Sequence, residues 1–184
     1  MLFRSYDIKT PYASLRERSS RAEFEKAAES VQEGDSIAYV TDAGTPGISD
    51  PGNLLVSLVR ANCGEACVVP IPGPSALTAA VSVTGLSMDE FIFLGFLPHK
   101  KGRQTALNSI ATEKRPVIVY ESPHRILKLF TELEKRIPER KAIVFRELTK
   151  LHEQIAFGTV AQILARIQKK DIPALGEFVV AIAR

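Results

Sequence analysis

Long apolar runs are absent from this sequence of 184 residues. Its longest apolar stretches, CVVPIPG and FIFLGFLP, are short and are broken by proline or glycine. A helix that crosses a bilayer needs roughly 20 apolar residues, so neither stretch predicts a membrane span. The N-terminus, MLFRSYDIKT, also has no apolar core of signal-peptide length. We therefore expect a soluble, cytoplasmic protein that does not associate with membranes.

Metal-binding and disulfide patterns are also missing. The two cysteines, Cys63 and Cys67, lie four residues apart with no histidine nearby, which is neither a zinc ligand set nor a disulfide framework. His99, His124 and His152 are scattered without the spacing of a ligand pair. We expect reduced, structurally passive thiols and no metal.

Two common nucleotide-binding signatures do not occur. Neither GxxxxGK[ST] nor GxGxxG is present, which argues against a nucleoside triphosphatase and against an ordinary Rossmann dehydrogenase. The net charge is only +3 and the pI is near 8.9. This mild basic excess permits RNA as a partner but does not demonstrate it.

The pattern that is present predicts an α/β protein. A helix is predicted over Ser20–Gln32, with Gly34 at its C-terminal cap. Next come two repeats of strand, Gly/Pro loop and helix: SIAYV before TDAGTPGISDPG, and ACVVPI before PGPSAL. Such alternation predicts βαβ units and a mainly parallel sheet, whose ligands collect beyond the carboxyl ends of the strands. Both loops should therefore border one crevice.

A second series of elements follows Ser87. Strands are predicted in EFIFLGFL, PVIVYESPH, KAIVFREL and GEFVVAI, and helices in HKKGRQTALNSIATE, RILKLFTELEKRI and GTVAQILARIQKK. We place a domain boundary at Ser87–Asp89, which divides the chain into an N-terminal domain, 1–87, and a C-terminal domain, 88–184.

The two Gly/Pro loops are the first candidate binding segments. Glycines let a ligand approach the main chain closely, and prolines hold a loop in one shape. The polar side chains of the first loop are Asp42, Thr45, Ser49 and Asp50, and Ser75 is the side chain in the second. Each of them could instead cap the helix that follows its loop.

Charged residues past the predicted strands of the second half are the other candidates. An anionic substrate would suit them, although a set of surface ion pairs is the plainer interpretation. They are Glu121, His124, Arg125, Arg146, Glu147, Lys150 and Glu153, with Lys100, Lys101 and Arg103 in the basic stretch HKKGRQ.

These motifs together resemble a known family. VTDAGTPGISDPG, IPGPSALTAAVSVTGL, FIFLGFLPHKKGRQ, YESPHRI and RELTKLHEQIAFGT occur in an order similar to that in the 16S ribosomal RNA (cytidine) 2′-O-methyltransferases, within the tetrapyrrole methylase superfamily. The resemblance implies a class III methyltransferase of two α/β domains. It further implies S-adenosylmethionine as cofactor, ribosomal RNA of the small subunit as partner, and a homodimer.

The resemblance also implies roles for individual residues. Tyr120–Arg125 and Arg146–Glu153 would face cofactor and RNA from the C-terminal domain. The catalytic candidates are Glu121 and His124, and the RNA-binding candidates are Lys100, Lys101, Arg103, Arg125, Arg146 and Lys150. The cofactor would be held by Asp42, Ala43, Gly44, Thr45, Pro46, Gly47, Asp50, Pro72, Gly73, Pro74, Ser75, Ala76 and Tyr120.

The sequence departs from the family in two places. Family members begin with a further strand and a Pro-rich loop, and this sequence starts after them, so we expect an N-terminal domain without its first strand. The stretch 14–19 reads SLRERS where the family has two histidines. Two alternatives therefore stay open: a methyltransferase acting on a carbon of a tetrapyrrole precursor, and a non-catalytic RNA- or ribosome-binding remnant.

Overall fold

The chain folds into two compact units. The computed structural model describes residues 6–16, 18–41, 43–49 and 52–184, and it divides into Met1–Gly73, the first unit, and Pro74–Arg184, the second unit. Three residues of the first predicted binding loop, Asp42, Asp50 and Pro51, lie outside the described residues. The domain boundary at Ser87–Asp89 stays a prediction.

The first unit is built on two helices, α1 (Arg21–Gln32) and α2 (Gly52–Cys63), followed by a short 3₁₀ turn, Glu65–Cys67. Helix α1 begins with a capping box, in which the Ser20 hydroxyl accepts from the Glu23 amide while the Glu23 carboxylate accepts from the Ser20 amide. It ends before Gly34, as predicted. The helices pack through the buried side chains Phe24, Ala28, Leu55 and Val59.

The two strands predicted in the first unit do not form. Among its described residues, neither 36–40 nor 66–71 belongs to a sheet, and Val69 and Ile71 are 72% and 76% exposed. A strand exists only as part of a hydrogen-bonded ladder, and β-branched residues alone do not supply a partner. The prediction of these two strands is therefore wrong.

The second unit contains a five-stranded sheet. It begins with helix α3 (Ala76–Ser82). The remaining elements are β1 (Ile92–Phe96), α4 (Arg103–Thr112), β2 (Val117–Glu121), α5 (Ile126–Glu134), β3 (Lys141–Arg146), β4 (Gln154–Thr159), α6 (Val160–Gln168) and β5 (Phe178–Ile182). The predicted strands and helices of this half are confirmed, and β4 is an additional strand that we did not predict.

The sheet is mixed, and not mainly parallel as expected. Its strand order is β1-β2-β5-β3-β4. Only β1 and β2 pair in parallel, whereas β5 is antiparallel to both β2 and β3, and β4 is antiparallel to β3. Because β5 is inserted between β2 and β3, strands β1, β2 and β3 still point the same way. Their carboxyl ends therefore meet at one edge of the sheet.

Both faces of the sheet carry apolar side chains. One face, with Val119, Val144 and Val180, is covered by α4, α5 and α6 and forms the larger core. The other face, with Ile118, Phe145 and Val179, packs against Ala80 of helix α3. Helix α3 therefore belongs to the core of the second unit.

Candidate functional site

The first Gly/Pro loop follows Val40 and is held by its own polar groups. The Thr41 hydroxyl donates to the carbonyl oxygens of Gly44, at 3.0 Å, and Ala43, at 3.3 Å. Gly47 has a φ of 101°, in the region that side-chain-bearing residues rarely adopt. The loop is thus shaped by a local hydroxyl and by a backbone conformation that favours glycine.

Close contacts join the two ends of this loop and bring Gly73 beside it. A Cβ on Gly52 would lie 2.7 Å from the Tyr39 ring, so the last residue of the loop is in close contact with the segment that precedes it. A Cβ on Gly73 would lie 3.1 Å from the Thr45 hydroxyl oxygen. The first unit thus brings together Thr45 and Gly73, two predicted cofactor residues that are distant in sequence.

The second Gly/Pro loop ends in a helix cap. Ser75 is the N-cap of α3, and its hydroxyl accepts from the Thr78 amide at 3.5 Å. Pro72, Gly73 and Pro74 are exposed before this helix. The capping role that we considered for Ser75 is therefore present, and it leaves a hydroxyl lone pair that a ligand could still use.

At the carboxyl edge of the sheet, three loops follow β1, β2 and β3. We call residues 98–102 the basic turn and residues 122–125 the histidine turn; residues 147–153 form the third loop. Glu121 and Arg146, the last residues of β2 and β3, both pair with Phe178, so these strands end at the same level. This edge brings together the second-half residues that we predicted to face a substrate.

Glu121 is at the centre of a buried ion network. Its side chain is fully buried, and its Oε1 lies 2.7 Å from the Arg125 Nε and accepts from the Ser122 amide at 2.8 Å. Its Oε2 lies 4.0 Å from the Arg103 Nη1 and has no hydrogen bond. The described geometry therefore does not support a direct contact between Glu121 and a substrate.

Arg103 is turned inward as well, contrary to the expectation of an exposed RNA contact. It is 2% exposed, its Nη2 lies 2.6 Å from the Glu132 Oε2, and its Nη1 donates to the Pro98 carbonyl at 3.2 Å. Arg125 is similarly engaged, since its Nη1 donates to the Leu97 carbonyl at 3.0 Å. A guanidinium offers five donors in a fixed plane, which suits several acceptors at once.

The loop after β3 is also held by charged groups. Arg146 donates to the carbonyl oxygens of Leu175, at 2.7 Å, and His152, at 3.0 Å. Glu147 accepts from the Glu177 amide and from the Lys150 ammonium, and these contacts lower the pKa of its carboxyl. Bonding to the Glu177 carboxylate raises the pKa of Lys150. Arg146 and Lys150 thus already have protein partners, and their contact with RNA stays a prediction.

Five of the predicted polar residues at this edge are exposed. Lys100 and Lys101 lie in the basic turn, His124 lies in the histidine turn, and Lys150 and Glu153 lie in the loop after β3. Tyr120, predicted to contact cofactor, makes edge-to-face contacts with Phe93 and Phe96, with ring centroids 4.9 and 5.7 Å apart. The edge therefore combines exposed positive charge with an aromatic cluster.

A cavity of about 370 Å³ lies elsewhere in the second unit. Lys141, Thr159 and Ala183 line it, at the opposite edge of the sheet, and no predicted site residue does. In the described ranges, no three His, Cys, Asp or Glu side chains gather as a metal site would require. Within those ranges, too, no helix has the length and apolar character to cross a membrane.

Glu132 is the site residue that sequence reasoning missed. It pairs with Arg103 from 29 residues away, on a different helix. In the sequence it is one of several charged residues on an amphipathic helix, where exposure is the ordinary expectation. Only the packing of α4 against α5 shows that it faces inward.

Comparison with known proteins agrees with the fold. The family model of the tetrapyrrole (corrin/porphyrin) methylases matches residues 2–164. The solved structure of the methyltransferase CobJ superposes with a TM-score of 0.63 at 17% identity, covering 94% of this chain and 78% of that one. Uroporphyrin-III C-methyltransferase from Thermus thermophilus, complexed with S-adenyl homocysteine, gives 0.58 at 13%, covering 89% and 73%. At such identities the likeness shows the fold alone.

The chain therefore belongs to the tetrapyrrole methylase family, and within it to the ribosomal RNA small subunit methyltransferase I group. The protein of that name from Synechocystis is 44% identical over 99% of this chain, which spans 64% of its length. The one from Thermotoga maritima is 39% identical over the whole chain, which spans 81% of its length. The fold class and the family inferred from the motifs are both confirmed.

Proposed function

We propose that this chain is an S-adenosylmethionine-dependent methyltransferase that acts on the ribose 2′-hydroxyl of a cytidine in 16S ribosomal RNA. The observation that supports the proposal is the approach of Gly73 to Thr45, one residue from each of the two predicted cofactor loops. The relatives' name supports ribosomal RNA of the small subunit as substrate, and the motif resemblance supports the ribose hydroxyl.

The residues present fit a small polar cofactor. Ala43 and Gly44 are exposed and Thr45 is half-buried, so the loop can offer main-chain groups to a ligand. Because residue 73 has no side chain, a ligand could approach the main chain of both loops. We propose that the segments 43–47 and 72–76, together with Tyr120, hold S-adenosylmethionine. When bound, that cofactor supplies an electrophilic methyl group.

The chain itself would contribute mainly by orienting the cofactor and the RNA, and less by acid–base catalysis. Holding two reactants in the correct geometry replaces an encounter in solution and can account for several orders of magnitude in rate. Of the two catalytic candidates, His124 is exposed and Glu121 is buried. We therefore propose that the His124 imidazole faces the ribose and accepts the hydroxyl proton, and that Lys100 and Lys101 contact RNA phosphates.

Cofactor binding is tested by isothermal titration of the purified chain with S-adenosylhomocysteine. We expect a micromolar-scale dissociation constant, about 8 kcal/mol of affinity. Gly47→Ala should weaken binding at least about tenfold, because a residue with a Cβ strains the loop at this φ. Gly64→Ala is the matched control: its φ of 86° is similarly restrictive, but it lies outside both loops. Absence of binding to the unaltered chain would favour the non-catalytic alternative.

The substrate is tested by transfer of a labelled methyl group to small ribosomal subunits. Digestion of the RNA to nucleosides should give 2′-O-methylcytidine and no base-methylated product. His124→Gln should lower kcat by about 10²-fold or more, whereas Lys114→Gln, which alters an exposed side chain outside the proposed site, should leave it unchanged. Transfer to a porphyrinoid but not to ribosomal subunits would establish the tetrapyrrole alternative instead.

Two further expectations belong to this proposal. The family resemblance implies a homodimer and a cytoplasmic location, and the methyl transfer proposed here needs neither a membrane nor a metal. Light scattering of the purified chain tests the homodimer directly, and a mass near twice 20.2 kDa is the expected result.

A further inference from the structure

The ion network around Glu121 connects the two turns that the proposed function places at the substrate. Glu121 is the last residue of β2, and the histidine turn follows it directly. Its Oε1 accepts from the Ser122 amide at the start of that turn and pairs with Arg125 at the end of the turn. One carboxylate thus holds both ends of the histidine turn.

The same carboxylate is connected to the basic turn through two arginines. Arg125 donates to the Leu97 carbonyl at 3.0 Å and Arg103 donates to the Pro98 carbonyl at 3.2 Å. These carbonyls immediately precede His99, Lys100 and Lys101. In addition, the Arg103 amide donates to the Lys100 carbonyl at 3.2 Å, which closes the turn from its other side.

Charge and burial explain why the arrangement is rigid. Arg103 and Glu121 are almost fully buried, and the side chains of Arg125 and Glu132 are each only 14% exposed. Two guanidinium groups and two carboxylates balance to zero net charge, which is the condition for keeping charges inside a protein. If one member is lost, the charge on its partner stays buried, so the remaining groups must rearrange and the backbone carbonyls they hold are released.

We propose that Glu121 is a positioning residue: through Arg125 and Arg103 it holds the basic turn and the histidine turn in fixed positions for binding RNA. It does not touch the substrate itself. The RNA half of this inference rests on the proposed function, whereas the connection between the two turns does not.

The experiment is amide hydrogen exchange on the purified full chain, without RNA or cofactor. In Glu121→Gln the hydrogen-bonded amides that close the two turns, those of Arg103, Ser122 and Arg125, should exchange at least about tenfold faster than in the unaltered chain. Amides of β4 should not change. Glu121→Asp keeps the charge but withdraws the carboxylate by one methylene, and a smaller increase in the same amides is expected. This second variant keeps the test decisive if the first does not fold.

Two control variants distinguish the positioning role of Glu121 from the general effect of removing a carboxylate. Glu132→Gln removes the other partner of Arg103 but no contact of Ser122 or Arg125, so it should affect the basic turn and leave the histidine turn unchanged. Glu113→Gln removes a partly exposed partner of Arg115 at the far end of α4 and should change neither turn. Equal effects of Glu121→Gln and Glu132→Gln on both turns would overturn the assignment to Glu121, as would unaltered exchange in both Glu121 variants.

The functional consequence is measured by comparing the KM for small ribosomal subunits with the dissociation constant of S-adenosylhomocysteine. Glu121→Gln should raise the KM for small ribosomal subunits about tenfold or more. It should leave the dissociation constant of S-adenosylhomocysteine unchanged, because the ion network contains none of the residues proposed to hold the cofactor. A purely structural defect would change both. If the exchange results are as expected but the unaltered chain neither binds nor methylates ribosomal subunits, the proposed function fails while the positioning role stands.

Discussion

At the level of single residues, Gly176 shows how closely the loops at the carboxyl edge are packed. It has a φ of 85°, and a Cβ built on it would lie 2.5 Å from the Cγ, Cδ and Oε1 atoms of Glu147. The side chain of Glu147 therefore occupies the space that any other residue at 176 would need. This packing holds the segment before β5 against the loop after β3.

Replacing Gly176 by alanine should destabilise the chain by roughly 2–4 kcal/mol, since the strain of a left-handed conformation adds to the displacement of Glu147. The loss is measured as the free energy of unfolding in urea. Gly85→Ala is the control, because Gly85 has a φ of 66° but nothing within 4 Å of a Cβ. It should cost only about 1–2 kcal/mol. Equal losses would mean that Glu147 is not packed against Gly176 in solution.

The sequence predicted which charged residues follow the strands at this edge, but not which of them face inward. Glu121, Arg125 and Arg103 were marked by their position after predicted strands and in the stretch HKKGRQ. That they face inward depends on Glu132 and on the Leu97 and Pro98 carbonyls, which are contacts between separate elements. Charged residues are mostly exposed, so a sequence pattern favours the surface interpretation until packing shows otherwise.

At the level of elements, the loop after β3 should respond to acid through Glu147. Bonding to the Glu177 amide first, and to Lys150 next, lowers the pKa of the Glu147 carboxyl below its ordinary value of 4.5. A carboxyl with a lowered pKa in the folded state binds fewer protons there than in the unfolded chain. Its contribution to stability is therefore complete above pH 4.5 and is lost as the pH falls through the lowered value.

We therefore expect the unaltered chain to exceed Glu147→Gln in free energy of unfolding by a constant amount at neutral and mildly acidic pH. The difference should shrink as the pH falls below 4.5 and through the lowered pKa of Glu147. Urea unfolding at fixed ionic strength measures it. In Glu177→Gln the main-chain amide of residue 177 still donates to Glu147, so the acid dependence should persist. If the unaltered chain and Glu147→Gln lose stability in parallel at every pH, this contribution is absent.

Helices were predictable from local contacts, and strands were predictable where they have neighbouring strands in the sheet. The helices of both units have amphipathic periodicity and caps, such as the Ser20 capping box, that are visible in the sequence. Strands β1, β2, β3 and β5 are short apolar runs that find neighbours in the sheet. The segments 36–40 and 66–71 have the same kind of composition but no ladder partner among the described residues. Strand β4 was missed because Gly158 and the polar Gln154 interrupt its pattern.

At the level of the whole molecule, the two units differ in how much apolar surface they bury. Among the described residues of the first unit, the core has four buried side chains, contributed by α1 and α2. The second unit has a sheet with buried side chains on both faces. Because stability follows the apolar area removed from water, the second unit should be the more stable part of the chain.

Hydrogen exchange of the whole chain should show this difference directly. We expect the slowest amides in β2, β3 and β5, where exchange requires global unfolding, and amides in α1 and α2 that exchange at least about 100-fold faster through local opening. Equal protection in both units would contradict a small, separately opening first unit. The expectation follows from burial and does not depend on the proposed activity.

If the cofactor proposal is correct, S-adenosylhomocysteine should change the hydrogen exchange of the chain. A ligand that binds only the folded state stabilises it by about 2.7 kcal/mol at 100 times its dissociation constant, which is close to a 100-fold slowing of exchange. If the cofactor loops lie where we propose, S-adenosylhomocysteine should slow exchange in α1 and α2, because binding at residues 43–47 requires the first unit to be folded. The slowest amides of β3 and β5 should respond less. Slowing confined to the second unit, in the presence of measured binding, would place the cofactor outside the two Gly/Pro loops.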